Sequence, residues 1–507
     1  MTPSLAAGFA DGLTYLEHFP HECTEQTVSR FLPNVVTMRT LKAVGISDPE
    51  LEANLDEQVN NALQRLYNQQ HADGGWGWWS TTDSNPLTTA YVIQGLIEAD
   101  ASGYEISSNV LEDALLYLQE HLQPIESFES TYLLNRQAYL LYVLASADRA
   151  AVSQTVKLYE ARQSLDLYAR AYLAQTLYMI DDDDPRLDTM ISDFVSEAAL
   201  SANGTHWNET RRDYWNWNTD TRTTAIVLDT ILLVDPDNTL NASTVRWLMA
   251  NRSQGRWRGT QETVWALLAL NRWAQTSSDL EPDYLFETAL NGESLGGGIA
   301  DSETMRTTTD YKVELTDLNI NDVNRLTIAR NAGPGNLYYT SHLTLSMPVE
   351  EVQAFSQGIT INRSYFHPDD RNTAITSIPR GENFLARLTI IVPDSLHYVI
   401  IEDHLPAGLE AISQSLNTSP QQSAPSRYDF DDARTSGWGW WYFDHVELRD
   451  EKIVISADYL PAGVYEYVYL VRAAMPGIYH VIPPTGQEFY FPEVYGRGEG
   501  SLFEVTQ

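Results

Sequence analysis

The sequence predicts an N-terminal α/α toroid followed by β-sandwich domains. Up to about residue 278, apolar residues recur at the three- to four-residue spacing of amphipathic helices. From about Pro282 onward, short runs of alternating apolar and polar residues are separated by Asn-Gly, Gly-Pro and Pro-Ala-Gly turns, which is typical of sandwiches. At 507 residues the chain is too long for a single hydrophobic core, so we expect two or three domains.

The helical part contains a repeated unit. The loop HADGGWGWW at 71–79 precedes one apolar helix, and QGRWRGTQ at 254–261 precedes another. A Gly-Trp loop followed by a Thr-rich helix start, repeated, favours helical hairpins arranged in a ring of about six pairs around one core. The segments with helical spacing are 55–66, 87–99, 110–121, 136–147, 165–180, 187–199, 223–234, 243–250 and 260–273.

The β part divides into two units. The first, 281–350, is short for a sandwich, and we expect it to complete a domain begun upstream; the second, 351–507, is long enough to stand alone. With the helical part at 1–280, this gives three predicted domains. A stretch at 416–434, rich in Ser, Pro, Gln and Asp, is expected to be a long loop. The predicted strands are 311–315, 325–329, 337–345, 385–391, 398–401, 452–457 and 465–472.

Composition excludes several functions. A net charge of −37 repels phosphates, so nucleic acids and anionic lipids are not expected partners. The sequence has no stretch of about 18 apolar residues, so no membrane span is predicted. Residues 1–10 lack the features of a signal peptide. The chain has four lysines, at positions 42, 157, 312 and 452. Their scarcity either limits amine attack from within the chain or reflects a general bias toward acidic residues and arginine.

The single cysteine, Cys23, lies three residues before Gln26, just ahead of a helical pattern. Residues at this spacing in a helical turn are neighbours, with Cβ atoms about 5–6 Å apart. If the Cys23 thiol attacks the Gln26 side-chain carbonyl and ammonia leaves, the product is an intrachain thioester. The alternative is an inert, buried thiol at the start of a helix.

The residues from Phe19 to Pro33, FPHECTEQTVSRFLP, resemble the thioester-domain signature of the alpha-2-macroglobulin and complement family, especially its bacterial members. Similar likenesses occur at GTQETVWAL (259–267), EDHLPAGLE (402–410) and QEFYFPEVYGR (487–497). Together they cover nearly the whole chain. The resemblance implies a thioester domain, the second part of a CUB-like domain and the terminal macroglobulin domain, with the upstream macroglobulin domains and bait region outside this sequence.

The resemblance also implies a function. An exported, broad-range protease inhibitor of this kind captures lysine amines of an attacking protease at the Cys23–Gln26 thioester after bait cleavage, and it is not an enzyme. Glu25 and Pro20 would form the thioester environment, although Glu25 could also simply cap the helix. Phe489 and Tyr490 would shield the bond. Some complement relatives have a catalytic histidine in the region that corresponds to residues 128–139, where it favours hydroxyl targets. These residues contain no histidine here, which implies direct attack by amines. Neither a cofactor nor a metal is expected.

Other readings remain open. Terpene cyclases and prenyltransferases also use such toroids, and the acidic run 181–184 and the Gln-Trp loop fit their patterns. A metal site from Glu17, His18, His21, Glu22 and Cys23 is disfavoured by Pro20, which interrupts any helix that would align them. A thioester adhesin that cross-links to host surfaces would share the chemistry. The tryptophan runs 76–79 and 438–441 could bind carbohydrate or pack against helices.

Overall fold

The computed structural model describes residues 1–5, 16, 23–43, 49–201, 203–252, 256–277, 280–305, 307–319, 322–339, 341, 346–412 and 443–507. Pro20, the predicted loop at 416–434 and the tryptophans at 438–441 lie outside these residues. The chain forms two compact units, residues 1–342 and 343–507. The predicted domain limits at 280 and 350 stay predictions.

The first unit is mainly helical. Each of the nine predicted segments overlaps one of its helices. The described residues form α1 (Thr24–Ala43), α2 (Pro49–Gln69), α3 (Pro86–Ala101), α4 (Ser108–Glu120), α5 (Thr131–Ser146), α6 (Val152–Glu160), α7 (Leu167–Ile180), α8 (Arg186–Glu197), α9 (Asp220–Val234), α10 (Asn241–Ala250) and α11 (Thr260–Thr276).

The helices form two concentric rings. The odd-numbered helices each contact the next, and α11 contacts α1, which closes an inner ring. The even-numbered helices lie outside, each against the inner helices before and after it. The burial of the helices agrees with the two rings. The outer helix α8 buries one stripe of side chains, Leu187, Met190, Ile191 and Phe194, whereas the inner helix α3 is buried continuously from Leu87 to Leu96. The predicted α/α toroid is confirmed.

A tryptophan in each of three connecting loops fixes an outer helix to the next inner one. The indole N–H groups of Trp76, Trp207 and Trp257 donate to carbonyls at the ends of α2, α8 and α10, at 2.8, 2.8 and 2.9 Å. The last four carbonyls of a helix have no partner within the helix, so each indole satisfies one of them. A threonine of the following inner helix bonds to the tryptophan backbone in each case. The sequence repeat was visible at two of these loops; the structure adds the third, at Trp207.

A small sheet completes the first unit. The hairpin β1 (Ala199–Ser201) and β2 (Gly204–His206) lies within the toroid, and β3 (Tyr284–Leu290), β4 (Glu293–Ala300) and β5 (Leu326–Arg330) form a sheet of order β4-β3-β5. Beside it, Thr2 pairs with Tyr338 through hydrogen bonds of 2.8 and 2.9 Å. The predicted strand at 311–315 is wrong, because these residues are irregular and end in a 3-10 turn at Leu315–Asp317.

The second unit is a β-sandwich, as predicted. Its described strands are β6 (Phe355–Gln357), β7 (Thr360–His367), β8 (Asp370–Ala374), β9 (Ser377–Pro379), β10 (Asn383–Val392), β11 (Leu396–His404), β12 (Leu409–Ala411), β13 (His445–Leu448), β14 (Lys452–Leu460), β15 (Gly463–Ala473), β16 (Gly477–Val481), β17 (Thr485–Glu488), β18 (Tyr495–Arg497) and β19 (Ser501–Thr506). One sheet has the order β12-β15-β10-β7-β8, another β13-β14-β11-β17-β18-β6, and a third β16-β19-β9. The residues between the sheets form one apolar core that includes Phe384, Val399, Ile455 and Tyr465.

Across the described stretches, no helix combines the length and the apolar character needed to cross a bilayer.

Candidate functional site

Cys23 lies immediately before α1, which begins at Thr24 and is the first inner helix of the toroid. Its residue is 1% exposed, and its backbone carbonyl accepts hydrogen bonds from the N–H and the hydroxyl of Thr27, both at 3.0 Å. The next residue, Thr24, donates its backbone N–H to the carbonyl of Trp78 at 2.9 Å. The start of α1 is therefore fixed from both sides, and the thiol is held at one buried position.

Gln26 follows one helical turn later and is 1% exposed. Both polar atoms of its side chain, Nε2 and Oε1, are buried, and neither has a hydrogen-bond partner among the described residues. A buried amide without partners costs about 1–3 kcal/mol. Because thioester formation removes the two N–H donors, an acyl group suits this site better than a carboxamide does.

Glu25, between them, is 0% exposed. Its Oε1 accepts hydrogen bonds from the Ser29 hydroxyl at 2.6 Å, the Thr260 hydroxyl at 2.9 Å and the Gln261 carboxamide at 2.7 Å. Thr260 and Gln261 begin α11, so this carboxylate joins the first and last inner helices. Glu25 thus does more than cap the first turn of α1. Its carboxylate connects α1 to α11, the two helices that close the ring, beside the Cys23–Gln26 pair.

The hydrogen-bond network continues into the core of the ring. The Ser29 and Tyr91 hydroxyls are 2.9 Å apart, and burial, with the nearby Glu25 carboxylate, raises the pKa of Tyr91 well above its usual value. The Trp265 indole donates to Gln261 Oε1 at 3.3 Å. The Arg222 guanidinium, which is also buried, lies 5.3 Å from the centre of the Trp265 ring. The site therefore rests on an ordered layer of aromatic and polar side chains.

Sequence reasoning did not identify the partners of Glu25. The likeness at 259–267 drew attention to Thr260 and Gln261 but gave them no role. Ser29 and Tyr91 carried no signal, because their contact depends on how α1 and α3 pack.

The predicted shield residues lie in the second unit, in the turn after β17. Phe489 and Tyr490 are both buried, and their rings contact each other edge to face, with centroids 4.9 Å apart. The Phe489 N–H donates to the carbonyl of Tyr398 at 2.8 Å. Their role as a cover for the thioester stays a prediction.

The alternative sites find no support in the described residues. Asp184, in the acidic run, is buried, pairs with Arg186 and accepts the Arg186 backbone N–H, so it belongs to the turn before α8. Trp76, Trp78 and Trp79 are buried, as packing requires. Within the described ranges no cluster of His, Cys, Asp and Glu could hold a metal ion. Glu17, His18, His21 and Glu22 lie outside those ranges.

Both parts of the chain match known domain families. The A-macroglobulin TED domain matches residues 1–141 and 133–273, which together span more than half of the chain. The bacterial alpha-2-macroglobulin MG10 domain matches residues 358–493. The matched ranges coincide with the toroid and with most of the sandwich.

Full-length relatives are similar over nearly the whole chain. The alpha-2-macroglobulin of Escherichia coli K12 is 25% identical over 507 residues, covering 95% of this chain and 28% of the relative. A homologue from Nostoc is 25% identical over 479 residues, covering 88% of this chain and 23% of its own length. The chain thus spans about a quarter of the length of these relatives.

Solved structures share the fold. One is native E. coli alpha-2-macroglobulin, from domain MG7 to the C-terminus. It matches with a TM-score of 0.72 at 20% identity, and the match covers 100% of this chain and 76% of the E. coli chain. Salmonella alpha-2-macroglobulin reacted with methylamine has a TM-score of 0.71 at 20% identity, covering 100% of this chain and 31% of that one.

Proposed function

The chain belongs to the bacterial alpha-2-macroglobulin family, and on that premise we propose that it supplies the thioester-bearing and terminal macroglobulin part of a protease trap. The single observation that carries the proposal is the buried Cys23–Gln26 pair, in which the carboxamide of Gln26 has no hydrogen-bond partner among the described residues. The spacing, the burial and the unsatisfied amide all favour a thioester there.

The chemistry has two steps. In the first, Cys23 Sγ bonds to Cδ of Gln26, the C–N bond breaks, and the nitrogen takes up the thiol proton and leaves as ammonia. In the second, a lysine amine of an attacking protease bonds to the same carbon, and the C–S bond breaks. The thiolate of Cys23 then takes up the proton that the amine nitrogen loses. The product is a stable amide between trap and protease, so the group acts once and the protein is not an enzyme.

The proposed trap must keep water away until it is triggered. For a thioester to survive for days, the barrier to hydrolysis must be about 25 kcal/mol, and each ~1.4 kcal/mol lost shortens its life tenfold. Tyr490 and Phe489 are the proposed shield. Glu25 is the group that we propose fixes the reactive turn, which is the helical turn that carries Cys23 and Gln26. Cleavage of a bait region in the remainder of an exported full-length protein would remove the shield and admit the protease amine.

Intact-mass spectrometry of the whole chain, before and after methylamine, tests the proposal. The untreated protein should be lighter than its sequence by one ammonia, and methylamine should add one methylamine and release one titratable thiol. The Cys23→Ala variant is the matched control and should show the full sequence mass and no uptake. An untreated protein at full sequence mass, with a free thiol and no response to methylamine, would refute the proposed chemistry.

A further inference from the structure

Tyr398, the third residue of β11, has an unusual backbone conformation. Its φ is +51°, in the left-handed region that bulky residues rarely adopt. Such a residue costs free energy and persists only where its surroundings impose it, and these residues cluster at functional sites. Tyr398 is nevertheless buried and lies in the sheet between His397 and Val399.

The conformation changes which side chains of β11 face the core. In a regular strand, residues at even spacing share a face. In β11, Leu396 lies in the core, and a regular strand would place residues 398 and 400 there as well. The core instead contains Val399 and Ile401, so the alternation of faces inverts at Tyr398. The partner strand β14 inverts at the same level, because Ala457 and Leu460 both lie in the core. No residue is inserted, since the pairing stays in register on both sides. The inversion takes Tyr398 out of the sandwich core.

Tyr398 instead supports the turn that carries the proposed shield. Its carbonyl accepts the Phe489 N–H at 2.8 Å, and its ring meets the Tyr490 ring edge to face, with centroids 5.2 Å apart and planes at 77°. The preceding residue of the same strand, His397, donates its backbone N–H to Glu488 Oε1 at 2.7 Å. Two consecutive residues of β11 thus hold Glu488, the last residue of β17, and the first two residues of the turn that follows it.

The turn is also closed on its other side. The Phe491 N–H donates to the Glu488 carbonyl at 3.3 Å, and the Val494 N–H donates to the Phe491 carbonyl at 2.8 Å. The segment 488–494 is therefore a compact loop, in which the backbone of Phe489 and the ring of Tyr490 contact Tyr398.

We propose that Tyr398 is a positioning residue of the shield, held out of the sandwich core by its left-handed backbone so that its ring and carbonyl fix Tyr490 and Phe489. This inference rests on the proposed function. It predicts that the strained backbone at Tyr398 maintains the shield.

The test measures the rate of methylamine uptake by the whole chain, followed by intact mass and thiol release. Tyr398→Gly removes the ring but also relieves the strained backbone, so the packing lost with the ring should be partly offset in the melting temperature. Uptake should accelerate about tenfold, the rate equivalent of losing one edge-to-face ring contact. Tyr398→Asn, which also tolerates this backbone, gives a second variant should the glycine variant fold poorly. Tyr398→Phe keeps the ring and should react at the parental rate.

Two controls separate positioning from packing. Asn291 has the same left-handed backbone, with a φ of 53°, in the β3–β4 turn, and Asn291→Gly should leave the rate unchanged. Tyr365 packs in the sandwich core against Phe384 and Phe503, so Tyr365→Leu should lower the melting temperature without accelerating uptake.

A double variant distinguishes the possible failures. If Tyr398 acts through Tyr490, Tyr398→Gly should add nothing to the acceleration caused by Tyr490→Ala. An acceleration by Tyr490→Ala alone, or additive effects of the two changes, would overturn the positioning role while leaving the shield intact. An unchanged rate in Tyr490→Ala would remove the shield and this inference together. A parent protein at full sequence mass, with a free thiol and no uptake of methylamine, would refute the proposed function itself.

Discussion

The unpartnered carboxamide of Gln26 leads to a stability prediction that runs against the usual effect of mutation. In Cys23→Ala the thioester cannot form, so Gln26 keeps its amide in a site where neither Nε2 nor Oε1 has a partner among the described residues. Replacing Gln26 by methionine in that background keeps the side-chain length and removes the polar atoms. The double variant Cys23→Ala/Gln26→Met should therefore be more stable than Cys23→Ala.

The expected gain is about 1–3 kcal/mol, the cost of burying an amide without hydrogen bonds. The cost of truncating Cys23 is common to both proteins and cancels. Urea titrations followed by tryptophan fluorescence measure the difference as a shift in the unfolding midpoint.

A matched control has the opposite sign. Gln137 is also buried in the toroid, but its Nε2 donates to the Gln123 carbonyl at 3.0 Å and to Gln154 Oε1 at 2.9 Å. Gln137→Met in the same background should lower stability by about 1–3 kcal/mol, because it leaves those partners unsatisfied. Equal stability of Cys23→Ala with and without Gln26→Met would refute the reasoning, since it would mean that the site satisfies an amide after all.

Three further predictions concern the toroid. Gln261→Leu removes a donor to the buried Glu25 carboxylate and should cost about 1.5–3 kcal/mol. Gln275→Leu, on the same helix but at an exposed position, loses only a bond to a hydroxyl and should cost at most about 1 kcal/mol, so equal losses in urea titrations would contradict a buried carboxylate partner for Gln261. Trp207→Phe removes the indole donor and should cost about 1 kcal/mol, with faster hydrogen exchange at the end of α8; unaltered exchange would argue against that anchor. Burial raises the pKa of Glu209 from 4.5 to about 7, so the folded state keeps a proton that the unfolded state has released. Stability should fall as pH rises from about 4.5 to 7, and Glu209→Gln should flatten that slope in titrations at several pH values.

The sequence predicted the parts of the fold that local patterns encode. The spacing of apolar residues identified nine of the helices, but α6 was missed because its nine residues bury only Thr155 and Leu158, too few to form a stripe. The false strand at 311–315 alternates apolar and polar residues but pairs with no described strand. Alternation alone cannot supply the partner that a strand requires.

The candidate site divides in the same way. Cys23 and Gln26 are three residues apart, so their proximity follows from helical geometry and can be read from sequence. The contact between Glu25 and Gln261 spans 236 residues and depends on the closure of the ring. Nor does any local pattern reveal the left-handed backbone of Tyr398, which is set by the strands and turn around it.

The closure of α11 on α1 also governs when the site can assemble during synthesis. Cys23 and Gln26 leave the ribosome more than two hundred residues before the two side chains that bond to Glu25 from the far end of the ring. Until then the nascent chain cannot complete the surroundings that hold the reactive turn. The proposed thioester is therefore expected to gain its complete surroundings only once the toroid is finished.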